Sequence, residues 1–331
     1  MVSFVLRRAV LGLLVLTGLS LASFISLASQ DITLRNRPLL PQYWAWLKGI
    51  FTGHTLAVFT QPVVSPVNPY ARSTMLNAIG HTAIFLAVVF ALVFVFAAAL
   101  ALVAASRRGS AVDVLLRALS YLAWGLPAFL LALLIQRIVF QFGSVRGIGP
   151  FPLAGWPGSC PAPFGLDMGG LQCAKAGTGF VFLGNLFRYL ALPSITLALA
   201  FIGFHGRFLR STLLETLDAP FITTARAKGL RERRVVLLHA MRASLPVFLS
   251  AVLADAGAIF GTALAVDWIF SLGGLGTVFI SEFPNPQSDS PLLNTFPLQM
   301  LVVLAGAFVL ITSFLAELAV ISLDPRMRES R

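Results

Sequence analysis

Residues 73–106 read STMLNAIGHTAIFLAVVFALVFVFAAALALVAAS, a run without one Asp, Glu, Lys or Arg. A helix that crosses a bilayer needs roughly 20 mostly apolar residues. The run therefore suits one tilted helix with a lead-in and is too short for two. Working outward, residues 9–30, 118–136 and 189–206 are equally free of charge. A fifth run, about Ala243 to Phe270, is interrupted only by Asp255 and Asp267, and a sixth, 296–323, only by Glu317. Six membrane-spanning helices are expected.

The composition agrees. The 331 residues are 57% hydrophobic and 11% charged, with a mean hydropathy of +0.87. Soluble domains carry about 25% charged and about 45–50% apolar residues, so soluble and disordered chains are excluded. An all-α polytopic membrane protein remains. The formal net charge of +11 does not point to nucleic acid, because the basic residues cluster in short stretches between apolar runs. That is the placement expected of cytoplasmic loops. Arg7 and Arg8 precede the first span; Arg107, Arg108 and Arg117 lie between the second and third. Arg207, Arg210, Arg226, Lys228, Arg231, Arg233, Arg234 and Arg242 lie between the fourth and fifth, and Arg326, Arg328 and Arg331 close the chain. Both termini are then expected in the cytoplasm, the parity that six spans require. The Arg pair and Ser26-Leu27-Ala28 also fit a secretory signal with a small-residue cleavage site. The apolar stretch is longer than a usual signal core, which favours a retained helix.

The chain divides into a first helix (1–30), an extracytoplasmic segment (31–72) and a core (73–331). Tyr43, Trp44 and Trp46 suit a helix lying at the outer headgroup level. Loop 141–187 is rich in Gly and Pro and holds Cys160 and Cys173. On the outer side the two thiols are expected to form a disulfide; two free thiols are the alternative. Ser271-Leu272-Gly273-Gly274-Leu275-Gly276 suits a tight backbone turn, not a phosphate loop, since no Lys follows it.

The cytoplasmic segment 207–242 is the most informative. Within it, Phe221 begins the stretch that runs through Thr224, Ala225, Arg226, Ala227, Lys228, Gly229 and Leu230 to Arg233. The small residues Thr224, Ala225 and Ala227 allow another surface to approach closely. Gly229 can end a short helix in a left-handed conformation, and basic residues follow where the helix dipole favours them. The product is a short amphipathic helix suited to a partner's groove. A plain topology determinant and a site for anionic membrane lipid are the competing readings.

Here the chain resembles the permease subunits of ABC importers, in the dipeptide/oligopeptide/nickel branch. Thr224-Ala225-Arg226-Ala227-Lys228-Gly229-Leu230 with Glu232-Arg233-Arg234-Val235 is similar to that branch's coupling motif, and His239-Ala240-Met241-Arg242 and Leu245-Pro246-Val247 continue it. Arg107-Arg108-Gly109-Ser110 with Asp113 and Leu116-Arg117, then Leu126-Pro127-Ala128-Phe129, Leu192-Pro193-Ser194-Ile195-Thr196-Leu197-Ala198 and Asp324-Pro325-Arg326-Met327-Arg328 resemble further family segments in order. Departures are Pro220 and Thr223 where the family commonly has an acidic and a basic residue, Gly273 where a Pro is usual, Asp255 where an uncharged residue is usual, and a short outer segment after the first span.

The resemblance implies a translocation pathway shared with a second homologous permease. It also implies two cytoplasmic ATPase subunits that grip the coupling segment, and an extracytoplasmic binding protein that delivers peptide. Nickel, glutathione or another small solute are the alternative cargoes. No Gly-Lys pair occurs, so this chain has no Walker A loop; ATP and Mg belong to the partner subunits, and no cofactor or metal is expected on this one. The four His (His54, His81, His205, His239) form no His-Glu-x-x-His pattern, and no catalytic constellation stands out. His205 is expected to be satisfied by local packing. A self-sufficient carrier or channel is the competitor from another class; the internal inverted repeats that would favour it are not evident.

Intramembrane charges point to a pathway or a paired interior site. Asp255, near the middle of the fifth span, is expected either to line the pathway and attract a substrate amino group or to make an interhelical hydrogen bond. Asp267 and Glu317 are expected in structural pairs. Gly257 and Gly261, four apart, permit close helix packing.

Overall fold

The computed structural model describes residues 2–30, 38–52, 69–146, 152, 154–158, 177–281 and 295–323. The long helices are α1 (Val2–Gln30), α2 (Leu39–Thr52), α3 (Pro69–Ser106), α4 (Ala111–Gly125), α5 (Ala128–Arg146) and α6 (Phe180–Leu217). They are followed by α7 (Pro220–Ala227), α8 (Met241–Ala254), α9 (Ala256–Ile269), α10 (Leu275–Ser281) and α11 (Thr295–Leu323). Among the described residues, five helical stretches are long and apolar enough to cross a membrane, and six if the bent pair α4–α5 counts as one span.

Two expected spans differ in build. The third, 118–136, is not a straight helix: Ala111–Gly125 and Ala128–Val139 meet at 99°. The cause is Pro127, which has no N–H and disfavours helical backbone in the residue before it; Leu126 is accordingly extended, at φ −92° and ψ 123°. The fifth is interrupted at Asp255, which caps α8 and opens α9. The apolar stretch that passes for a span starts earlier, at Glu232, and ends at Ala254. It enters α8 through a helical turn (Glu232–Arg234) and a π-helical turn (Val235–Ala240). The 14 residues of α9 rise only about 21 Å, short of a hydrocarbon core of about 30 Å.

α6 is the central strut. It packs along α3, α4, α5, α8 and α9, and Leu197, Leu209 and Leu213 are fully buried on it. Its crossing of α4 is close because Gly203 has no side chain: a Cβ there would lie 2.6 Å from the Ser120 carbonyl oxygen. At 38 residues it is about 57 Å long, so it extends well past one bilayer thickness. The expected loop 207–217 is therefore the continuation of this helix.

α1 packs against α11, where Arg8 pairs with Glu317. This ion pair brings the start of the first long helix and the end of the last to the same end of the molecule. α2 lies against α1 through Tyr43, whose hydroxyl is 2.6 Å from Ser20 Oγ and whose ring meets Phe24 edge-on. Trp44 on α2 is exposed.

Candidate functional site

The sequence between α6 and α8 folds as a compact bracket. Pro220 occupies the first turn of α7, where its missing N–H costs nothing. Three residues beyond the helix, the chain reverses: Leu230 N–H donates to the Ala225 carbonyl and Gly229 N–H to that of Arg226. These are the paired bonds of a Schellman cap, with Gly229 left-handed at φ +77°, a conformation in which only Gly avoids a Cβ penalty.

The cap aims the two faces of α7. Ile222 and Ala225 point inward, at 0% and 7% exposure, into the core formed with Leu213 and Val235. Phe221, Thr224, Ala227, Lys228, Gly229 and Arg233 are exposed. Ala225, expected to accommodate a partner, is thus turned away from the free face. Its smallness serves packing inside this chain instead. Leu230 is half-buried against the same core. Arg226 is engaged locally, donating from Nε and Nη2 to the two Glu232 oxygens at 3.1 and 2.7 Å. The neighbouring carboxylate raises the guanidinium pKa above its ordinary value, and Arg226 Nη1 also reaches the Leu217 carbonyl at 3.5 Å. Thr216 Oγ1 lies 3.0 Å from Ser244 Oγ, tying the end of α6 to the start of α8.

A second tie behind the bracket was not foreseen. Arg210 on α6 forks onto buried Asp113 on α4, with Nε and Nη2 at 2.8 and 2.7 Å from its two oxygens. Asp113 also accepts from Gly109 N–H, while Ser110 Oγ accepts from Asp113 N–H as the helix cap. Arg207 stacks over the Tyr121 ring at 3.9 Å. The sequence signal was the Ser110-x-x-Asp113 spacing, which marks a helix start but does not name Arg210 as partner.

The acidic residues within the apolar runs differ in setting. Asp267 is buried at the end of α9 and accepts from the backbone N–H groups of Gly274, Gly276 and Thr277 at 3.1, 2.6 and 3.1 Å, and from Thr277 Oγ1 at 3.2 Å. The Gly-rich turn is thereby folded around one carboxylate. A Cβ at Gly274 would lie 2.7 Å from Asp267 Oδ2, and one at Gly276 2.0 Å from the Leu264 carbonyl oxygen. Glu317 is the partner of Arg8. Asp255 keeps 39% of its side chain exposed and lies 3.4 Å from Nε2 of His205, a contact between charged-group atoms and not a formed hydrogen bond. His205 is fully buried, and neither ring nitrogen has a hydrogen-bond partner. Local packing does not satisfy it: the ring sits against apolar neighbours, Phe204 and Phe248 among them, and its polar contact, Asp255 Oδ2, forms no hydrogen bond.

Gly257 and Gly261 separate as well. A Cβ at Gly257 would be 3.1 Å from Val309 on α11, whereas Gly261 meets nothing within 4 Å in this chain. Only Gly257 packs helix on helix here. The expected disulfide between Cys160 and Cys173 lies outside the described residues.

The helical spans, the basic residues of the bracket and the charged groups inside apolar runs define a multi-pass membrane protein. Residues 97–329 match the family described as the binding-protein-dependent transport system inner membrane component. The chain belongs to that family, the permease subunits of ABC importers. It is 30% identical over 296 residues to a putative peptide permease protein of Brucella suis, spanning 88% of this chain and 81% of the relative. It is 28% identical, over 88% of this chain and 82% of the relative, to the dipeptide transport system permease protein DppB of Lactococcus lactis. To the oligopeptide transport system permease protein OppB of Escherichia coli K12 it is 27% identical, over the same shares.

Proposed function

We propose that this chain forms half of the translocation pathway of an ATP-driven importer of di- and oligopeptides, beside a second homologous permease. Two cytoplasmic ATPase subunits bind the exposed face of α7 and its partner equivalent, and an extracytoplasmic binding protein delivers the peptide. Both chain termini and the α6–α8 bracket face the cytoplasm, in keeping with the Arg-rich segments on that side.

The observation that carries this reading is the construction of α7. Its inner face, Ile222 and Ala225, is locked into the core. Its outer face presents Phe221, 49% exposed, beside Thr224 and Lys228. An aromatic side chain held out on a capped short helix is an anchor for a pocket. Because the bracket is continuous with α6 and α8, displacing α7 levers two long helices. Force applied at one end thus reaches the middle of the bundle through rigid elements, and the ATP chemistry stays on the partner subunits. The names of the relatives support peptide as the cargo.

Purification of the tagged chain in mild detergent tests this. Wild type is expected to bring down two ATPases and a second permease with ATP hydrolysis. Phe221→Asp, a change on the exposed face, is expected to keep the second permease and lose the ATPases. A stable wild-type complex without any ATPase would overturn the importer and favour a self-sufficient carrier.

A further inference from the structure

The exposed surfaces of this bundle are of two kinds. Along α1, α4, α5 and the first half of α6 they are built from large apolar side chains, such as Leu13, Leu122, Leu134 and Phe187, all more than half exposed. These suit lipid. From α8 into α9 the surface changes: among the described residues, no exposed large apolar side chain falls between Val247 and Val302. The exposed positions there are Ala254 at the end of α8 and, beyond the break, Ala258 and Gly261, three residues apart on one face of α9. Asp255 lies at the break between the two helices, between Ala254 and Ala258.

A face of small residues with a carboxylate is poor lipid contact, since intramembrane acids turn to protein or to water-filled cavities. The second observation is His205. It is fully buried, without a hydrogen bond, and directs Nε2 toward Asp255 Oδ2 at 3.4 Å. A buried imidazole lies beside one edge of this half-exposed carboxylate, 3.4 Å away, and gives it a polar neighbour on the inner side only. That is the geometry of a receptor for a cation arriving from the small-residue face.

We propose that Asp255, positioned by His205, binds the N-terminal ammonium of the peptide in transit, and that the Ala254–Ala258–Gly261 face lines the pathway. This rests on the importer reading above and adds the site within it. A carboxylate gives an ammonium both charge and acceptors, while Ala and Gly side chains leave the width a peptide needs. His205 acts through Asp255 and is a positioning residue.

The experiment uses the assembled complex, with Cys160 and Cys173 replaced by Ser and Ala258→Cys introduced one turn from Asp255. Two membrane-impermeant methanethiosulfonates are compared, one carrying a quaternary ammonium and one a sulfonate. A single negative group in a confined aqueous path enriches cations by about tenfold or more, so the ammonium reagent is expected to react about tenfold faster. Asp255→Asn is expected to bring the two rates to near equality and to slow ATP-driven uptake of an unblocked dipeptide by about tenfold. His205→Leu is expected to lower the rate preference part of the way, and His205→Gln, which keeps a donor, to preserve more of it. The proposal is overturned if Ala258→Cys reacts with neither reagent, if the preference survives Asp255→Asn, or if dipeptide uptake ignores that change. A complex that still couples ATP hydrolysis to peptide uptake in those cases leaves the importer reading standing. Failure of the wild-type chain to hold ATPases sinks the importer reading instead.

Discussion

Asp255 and Asp267 lie twelve residues apart in one apolar stretch, and the fold treats them in opposite ways. Asp267 is enclosed and accepts from three backbone N–H groups and a hydroxyl of its own chain. Asp255 is half exposed, with a single buried imidazole behind it. The first is closed within the subunit and serves the fold. The second is left open, as is the outer face of α7. In a low-dielectric setting an unsatisfied polar group costs far more than it does in water. An acid left open where its neighbour is fully satisfied is the contrast on which the proposed substrate site rests.

The comparison breaks most sharply at Asp267. Asp267→Ala strands the N–H groups of Gly274, Gly276 and Thr277, and is expected to lower stability by about 3 kcal/mol or more, read as loss of folded monodisperse protein or a lower Tm in detergent. Equal stability of this variant and wild type would show that the turn does not depend on the carboxylate. The two glycines of α9 extend the contrast. Gly257→Leu meets Val309 and is expected to cost about 2 kcal/mol of subunit stability. Gly261→Leu enters open space, should change the isolated subunit's stability by less than about 0.5 kcal/mol, and should slow dipeptide uptake by narrowing the proposed pathway. Similar Tm losses in both would erase the distinction.

At the other open site, Gly229→Ala forces a Cβ into a left-handed position and is expected to cost about 1 kcal/mol. It should act mainly on α7, reducing permease-stimulated ATP hydrolysis more than the Tm. Asp255→Ala is expected to have a stability effect as small as that of Gly261→Leu, below about 0.5 kcal/mol, because no formed hydrogen bond is lost. Calorimetry of Asp255→Ala beside Asp267→Ala measures the contrast directly.

Much of this was legible in order along the chain. The apolar runs located the long helices, since the preference of a charge-free run of about 20 residues for a bilayer is a local property. Pro127 was visible, yet its consequence, a sharp bend in place of a straight third span, depends on how α4 and α5 pack against α6 and α9. The left-handed end of α7 was readable from Gly229. The inward turn of Ala225 was not drawn from the sequence, although Ile222 and Ala225 at i and i+3 mark one face. The smallness of Ala225 makes room for the core and not for a partner. Asp113 and Arg210 are 97 positions apart, and nothing local in either segment announces the pair.

Local sequence alone is enough to assign the class of the molecule: helical, membrane-spanning, with clustered basic segments and no Gly-Lys pair for a Walker A loop. Those follow from hydropathy, charge placement and motif, each of which is read within a window of neighbouring residues. Which charged groups find partners depends on how the helices pack. Asp267 is completed by a turn that folds back on it, Glu317 by Arg8 from the far end of the chain, and Asp255 has beside it a histidine on another helix that forms no hydrogen bond with it. Hydrogen bonds act over about 3 Å, so their partners are chosen by packing, and what packing leaves unpartnered is where function is to be sought.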